Sequence, residues 1–219
     1  MAVAKMNLFE IRDCLHLPGN SRLVGGRPQL KRPAGGAAVF LDRDGVIVED
    51  VHFLRDPAQL RILPGVARAL RLLQTDFYLI VVSNQSGIAR GFFSEADLAA
   101  IHTELVRKLA AEGAVIDALY YCPHLPQAPV EAYAKECQCR KPSSGMLVRA
   151  QSDWGIDLGA SYMIGDRPRD IEAGLAAGLT GLLLGAEIHS ATAGSLGATD
   201  LLDAARQIMG ATPPRAAAT

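Results

Sequence analysis

Short apolar runs that break off abruptly into polar clusters constrain this chain more than any other feature. Val39-Phe40-Leu41 runs straight into Asp42-Arg43-Asp44-Gly45, and Phe77 to Ser83 ends in Asn84-Gln85-Ser86-Gly87. Ser161 to Ile164 leads into Gly165-Asp166-Arg167-Pro168-Arg169-Asp170, while Asp117 to Tyr121 and Thr180 to Leu184 are two further runs. Continuous apolar segments of this length, rich in β-branched residues, read as strands buried on both faces. Helical stretches alternate with them. One opens at Pro64-Gly65-Val66 and runs to about Gln74, and another is capped by Ser94 with Asp97 three residues on and stops at Gly113. A third follows Pro168 to about Ala177, and a fourth covers Thr199 to Met209. This alternation predicts an α/β domain whose parallel sheet is covered by helices on both faces. Ligands of such sheets bind beyond the carboxyl ends of the strands, where the polar clusters sit.

The 219 residues suffice for one such domain with a small appendage. Residues 1 to 36 are broken by glycine and proline pairs and carry six Lys and Arg against two acids, net +4, while the rest of the chain is net −5. They read as a basic N-terminal arm, with Leu8, Phe9, Ile11 and Leu15 able to anchor one amphipathic turn. The domain is expected to span 37–210, with 211–219 a frayed tail. An overall charge of −1 gives no case for nucleic acid or an anionic membrane. No apolar run is long enough to span a bilayer and no secretory signal is evident, so a cytoplasmic monomer acting on small molecules is expected.

Asp42 and Asp44, spaced i and i+2, point to one place and need a counter-ion, which a hard cation such as Mg2+ supplies through oxygen ligands. Asp166 would complete that metal site, and Asp170 would orient its waters or Lys141. Together with Ser83 and Lys141 these residues form a constellation for phosphoryl transfer. A carboxylate nucleophile at Asp42 needs no dedicated base, Asp44 can act as acid and then base, and Ser83 and Lys141 can steady the phosphoryl oxygens. Each residue also has an ordinary structural use: Ser83 as a turn cap, Lys141 as a solvated charge, Asp166 as a helix cap. Cys122, His124, Cys137 and Cys139 offer three thiolates and one imidazole, a closed tetrahedral set for structural Zn2+ that would pin the loop 122–139 and place Arg140 and Lys141. Cys14 reads as a free thiol, His102 as a helix-surface residue and Trp154 as a packing residue.

The order of the motifs resembles that of the haloacid dehalogenase-like phosphatase superfamily: Val39 to Val46 as the first motif, Ser83 as the second, Lys141 as the third and Gly165 to Asp170 as the fourth. The resemblance implies a Rossmann-like parallel sheet without a large cap domain, and a Mg2+ held by the Asp42 carboxylate, the Asp44 backbone carbonyl and the Asp166 carboxylate. The run Ser83 to Gly91 and the cysteine loop are similar to those of heptose 1,7-bisphosphate phosphatases, which remove a 7-phosphate during the making of activated heptose for lipopolysaccharide. That likeness implies substrate contacts from Asp50, Asn84, Gln85 and Ser86 together with Ser83, and a distal phosphate held by Arg140 and Arg167. Histidinol-phosphate phosphatases share a shorter form of the loop. The family pattern Asp-His-Gly-Tyr stands here as Asp50-Val51-His52-Phe53, and Arg167 replaces a common lysine. Two alternatives stay open: a phosphatase for another small phosphorylated metabolite such as histidinol phosphate, and a catalytically silent zinc-bound interaction module.

Overall fold

A computed structural model describes residues 35–185 and 195–211. The basic arm up to residue 34, Cys14 and the tail from residue 212 lie outside the described residues. Six strands form one sheet: β1 (Ala38–Leu41), β2 (Tyr78–Asn84), β3 (Ala118–Cys122), β4 (Tyr162–Gly165), β5 (Thr180–Leu184) and β6 (Ser195–Ala198). Their order is β3-β2-β1-β4-β5-β6 and every pairing is parallel. The helices are α1 (Val66–Leu73), α2 (Glu95–Ala111), α3 (Gly145–Trp154), α4 (Pro168–Ala176) and α5 (Leu201–Gly210).

Side-chain alternation along β1 explains why the sheet is covered twice. Val39 and Leu41 face a core shared with α1, α2 and α5, while Ala38 and Phe40 face a second core shared with α3 and α4. All four β1 residues are fully buried, and a side chain the size of Phe40 gains about 1.5–3 kcal/mol from such burial. The expected strands and helices are present to within a residue or two. At the start of α2, Ser94 Oγ accepts from the Asp97 N–H while Asp97 accepts from the Ser94 N–H, a reciprocal cap worth about 1 kcal/mol.

Two elements lie beyond the sequence reading. Strand β6, Ser-Leu-Gly-Ala, has no apolar run of its own and exists by pairing with β5; α3 starts at a glycine without a side-chain cap. One expectation is corrected. His102 is buried, not on the helix surface, because it falls on the stripe Leu98, Ile101, His102, Leu105 and Leu109 that α2 turns inward. Trp154 does pack, its indole N–H donating to the Tyr120 hydroxyl at 3.1 Å. The reversal of strand order between β1 and β4 opens a crevice at their carboxyl ends.

Candidate active site and metal centres

Asp42 follows β1 directly, and its N–H donates to the Ile164 carbonyl of β4 at 3.0 Å, so the two strand ends are tied side by side. This pairing brings Asp42, Asp166 and Asp170 together: one carboxylate oxygen from each lies within 4.8 Å of the others. Lys141 enters from below. Its Nζ is 3.0 Å from Asp42 Oδ1 and 2.7 Å from Asp170 Oδ1, and donates to the Val82 carbonyl at 2.8 Å. The approach to Asp170 Oδ1 is an ion pair rather than an aligned hydrogen bond, which leaves that buried oxygen short of a donor. Burial disfavours the Lys141 charge, but Asp42 and Asp170 outweigh it and hold the ammonium above its ordinary value. Burial also raises Asp170, and burial with repulsion from Asp42 and Asp170 pushes Asp166 up to about 6. Three crowded carboxylates with one ammonium leave an excess of negative charge and free oxygen donors, a donor set that fits a hard divalent cation.

Gly45 shapes this floor. Its backbone has φ +79°, and a Cβ there would collide with the Asp166 carboxylate. If a divalent cation binds this donor set, Gly45→Ala is expected to weaken it by ~10-fold or more, read by calorimetric titration with Mg2+, because disturbing the support of a metal ligand costs about that much. Unchanged Mg2+ affinity would contradict the contact.

The carboxylate of Asp44 is turned away from the other three. Arg43, fully buried, grips it with Nε and Nη2 on Oδ1 at 3.0 and 2.8 Å and Nη2 on Oδ2 at 2.9 Å. Gln85 joins this grip: its Nε2 donates to Asp44 Oδ2 at 3.0 Å and to Ser83 Oγ at 2.8 Å, and its Oε1 accepts from Arg43 at 3.1 Å. Both ends of the Gln85 amide are thus engaged inside the protein, although the residue lines the cleft where a substrate contact was expected. Ser83 Oγ accepts from Gln85, which leaves its O–H free to donate. Burial raises Asp44 above the usual carboxylate value even though Arg43 pulls the other way.

Above the floor lies a cleft of about 220 Å³ lined by Asp42, Asp44, Asp50 and Asp166 together with Arg140, Arg167 and Arg169. Ser83, Asn84 and Ser86 line it as well, whereas Lys141 and Asp170 lie beneath. Asn84 exchanges two 3.0 Å hydrogen bonds with the Lys141 backbone, stitching β2 to the segment after the cysteine loop. Arg140 donates to the His124 carbonyl at 3.3 Å; burial, with Arg169 and Arg90 nearby, lowers its pKa. Exposed at the mouth, Asp50 is 4.0 Å from Arg167, whose Nε is 3.3 Å from Asp166.

Sequence reasoning missed Arg43, Arg169, His52 and Phe53. Arg169 was legible from its place in the Gly165 to Asp170 run, and Arg43 from its place between two acids. His52 has φ +54° and Phe53 φ +68°. The backbone at His52 therefore keeps the left-handed conformation for which the family pattern uses glycine, at a cost of roughly 1 kcal/mol for a residue with a Cβ.

A second donor set stands at the end of β3. Cys122, Cys137 and Cys139 hold their sulfurs 3.3–3.5 Å apart, with His124 Nδ1 3.7 Å from Cys122 and 3.5 Å from Cys139. The sulfur separations exceed the ~2.05 Å of a disulfide but approach the roughly 3.5–3.8 Å donor edges of a tetrahedron with ~2.3 Å metal–sulfur arms. Hydrogen bonds from its neighbours lower the Cys137 thiol while the same crowding raises Cys122 and Cys139, so a bound cation would be needed for all three to ionise together.

Comparison with known proteins agrees with this geometry. A family model for HAD-hydrolase-like proteins matches residues 138–208. The D-glycero-beta-D-manno-heptose-1,7-bisphosphate 7-phosphatase of Rhodopseudomonas palustris is 42% identical over 145 residues, 66% of this chain and 81% of that one. Its counterpart in Escherichia coli K12 is 44% identical over 141 residues, 64% and 74% of the two chains. The crystal structure of D,D-heptose 1,7-bisphosphate phosphatase from B. bronchiseptica, complexed with magnesium and phosphate, superposes with a TM-score of 0.72 at 35% identity, covering 79% of this chain and 98% of that one.

Proposed function

The chain belongs to the heptose-1,7-bisphosphate 7-phosphatases of the HAD-like hydrolases, and on that footing we propose that its cleft removes the 7-phosphate of D-glycero-D-manno-heptose 1,7-bisphosphate through an aspartyl-phosphate on Asp42. One observation carries the substrate assignment: the cleft over the acidic, lysine-backed floor is also lined by three guanidinium groups, Arg140, Arg167 and Arg169, which can hold a second phosphate beside the one that reacts. In the first half-reaction an Asp42 oxygen bonds to phosphorus, the bond from phosphorus to the sugar oxygen breaks, and Asp44 gives that oxygen its proton. In the second, Asp44 takes a proton from the water that attacks the phosphorus and frees Asp42. Burial of Asp44 favours the protonated form that the first half-reaction needs.

The Ser83 hydroxyl donates to the phosphoryl oxygens, the Lys141 ammonium adds its charge from beneath Asp42, and Arg140 and Arg167 hold the 1-phosphate, with Asp50, Asn84 and Ser86 against the sugar. Gln85 acts through Asp44. When bound, Mg2+ would be held by Asp42, Asp166 and the Asp44 carbonyl and would neutralise charge on the phosphoryl group, with Asp170 holding Lys141. Zn2+ on Cys122, His124, Cys137 and Cys139 would be structural. Residues 37–210 form the catalytic unit in this reading, and the protein works as a cytoplasmic monomer; among the described residues no helix is long and apolar enough to cross a membrane.

The test is phosphate release with Mg2+ from both anomers of heptose 1,7-bisphosphate, beside histidinol phosphate and fructose 1,6-bisphosphate. A kcat/KM at least ~100-fold higher for the heptose, about 2.7 kcal/mol of selective transition-state binding, is expected. A flat profile would overturn the substrate and turn attention to Val51, His52 and Phe53, where the loop departs from the family pattern. Absence of turnover on every phosphate would instead favour the silent interaction module.

A further inference from the structure

Behind Asp44 runs a buried line of side chains that ends on His102. Arg43, whose Nε and Nη2 hold the Asp44 carboxylate, directs Nη1 the other way, 3.4 Å from His102 Nε2 on α2. Neither side chain has water to turn to: Arg43 is 0% and His102 6% exposed. A guanidinium carries donors only, so the contact requires an unprotonated Nε2, and the neutral ring then bears its proton on Nδ1. Burial and the Arg43 charge keep His102 well below its ordinary pKa, in agreement with that state. The Tyr121 ring of β3, 6.0 Å away and tilted by 59°, flanks the imidazole. The turns after β1 and β2 and helix α2 thus meet at one guanidinium, with β3 packed against the imidazole.

We propose that His102 is a positioning residue for the phosphatase reaction: by accepting from Arg43 it fixes the guanidinium that aims the Asp44 carboxyl at the leaving oxygen. The inference rests on the phosphatase function proposed above. Removing the acceptor leaves Nη1 buried without a partner, and the guanidinium must then swing to find one, taking the carboxylate it holds off line. Distance from the reacting atoms does not protect against such a displacement, because proton transfer tolerates little error in position.

The experiment compares two leaving groups. A sugar alkoxide cannot leave phosphorus without a proton from Asp44, whereas p-nitrophenolate needs little help. His102→Leu, which keeps volume but removes the acceptor, is expected to lower kcat/KM for heptose 1,7-bisphosphate by ~10-fold or more and that for p-nitrophenyl phosphate by less than ~3-fold. His102→Gln, whose amide oxygen can accept from Arg43, should restore the heptose value to within ~3-fold of the parent. Equal losses on both substrates, no loss on either, or a glutamine variant no better than leucine would overturn the proposal. Should the leucine variant not fold, imidazole 15N shifts of the parent protein decide: a protonated Nδ1 with a bare Nε2 at neutral pH supports the role, and the opposite tautomer or a charged ring refutes it. A parent protein inactive on both substrates would remove the phosphatase function and this role with it; an active parent matched by His102→Leu would remove the role alone.

Discussion

Asp42→Asn is expected to reduce phosphate release by on the order of 10⁴-fold or more, about 5.5 kcal/mol of lost transition-state stabilisation, while leaving the melting temperature within a few degrees of the parent. The two halves of that expectation have separate causes. Chemistry fails because an amide oxygen is a poor nucleophile toward phosphorus and cannot form the aspartyl-phosphate. The fold survives because the Arg43 N–H, which donates to Asp42 Oδ1 at 2.7 Å, can donate equally to an asparagine oxygen, and Lys141 Nζ, ion-paired there at 3.0 Å, can stay beside the isosteric amide. Lys141 keeps Asp170 as its charged partner, and Asp166 loses one of the two carboxylates that help hold it near 6. Retention of more than ~1% of the parent rate, measured by phosphate release in saturating Mg2+, would refute covalent catalysis at this residue.

Loss of the zinc set is expected to have the largest effect on stability. Between β3 and α3 the chain folds almost without regular structure, with one short 3-10 turn at Glu131–Tyr133 and a few backbone hydrogen bonds such as Val130 to Ala89 and Leu125 to Tyr133. Closing this loop with a metal supplies what the missing secondary structure does not. Cys139→Ser should therefore strip the ion and lower stability by roughly 4 kcal/mol, a fall of ~10 °C in Tm at ~2–4 °C per kcal/mol for a chain of this size. Metal analysis and a thermal melt read the two consequences independently. A folded Cys139→Ser protein that has lost the ion yet melts with the parent would show that the loop holds itself. Activity should fall in parallel, since Arg140 and Lys141 follow Cys139 directly.

The strands and helices were legible where local chemistry decides them. Continuous apolar runs mark β1, β2 and β5, the Ser94 and Asp97 pair marks the start of α2, and Pro168 marks the start of α4. Strand β6 was not legible, since Ser195 to Ala198 has weak strand preference and owes its conformation to the β5 edge. His102 shows a readable signal passed over: it stands four residues after Leu98 and three before Leu105, the spacing of a buried stripe, and polarity argued for the wrong face. Gln85 shows a limit of another kind. Its neighbourhood marked it for the site, but nothing in the chain says whether a glutamine amide turns outward to a sugar or inward to Arg43, Asp44 and Ser83.

By itself the sequence determined the alternation of strands and helices, the carboxylates and hydroxyls at the strand ends, and the cysteine and histidine set. These follow from periodicity, caps and residue chemistry that act over a few positions. Only the tertiary structure decided that β1 lies between β2 and β4, and hence that Asp42, Ser83 and Asp166, spread over more than a hundred residues, line one cleft with Lys141 beneath it. It alone decided that Lys141 is buried between Asp42 and Asp170 and that Arg43 bridges Asp44 to His102. The physical reason is range: hydrophobic pattern and capping are settled between near neighbours, whereas strand order and the pairing of buried charges are settled by contacts between distant segments once the sheet has closed.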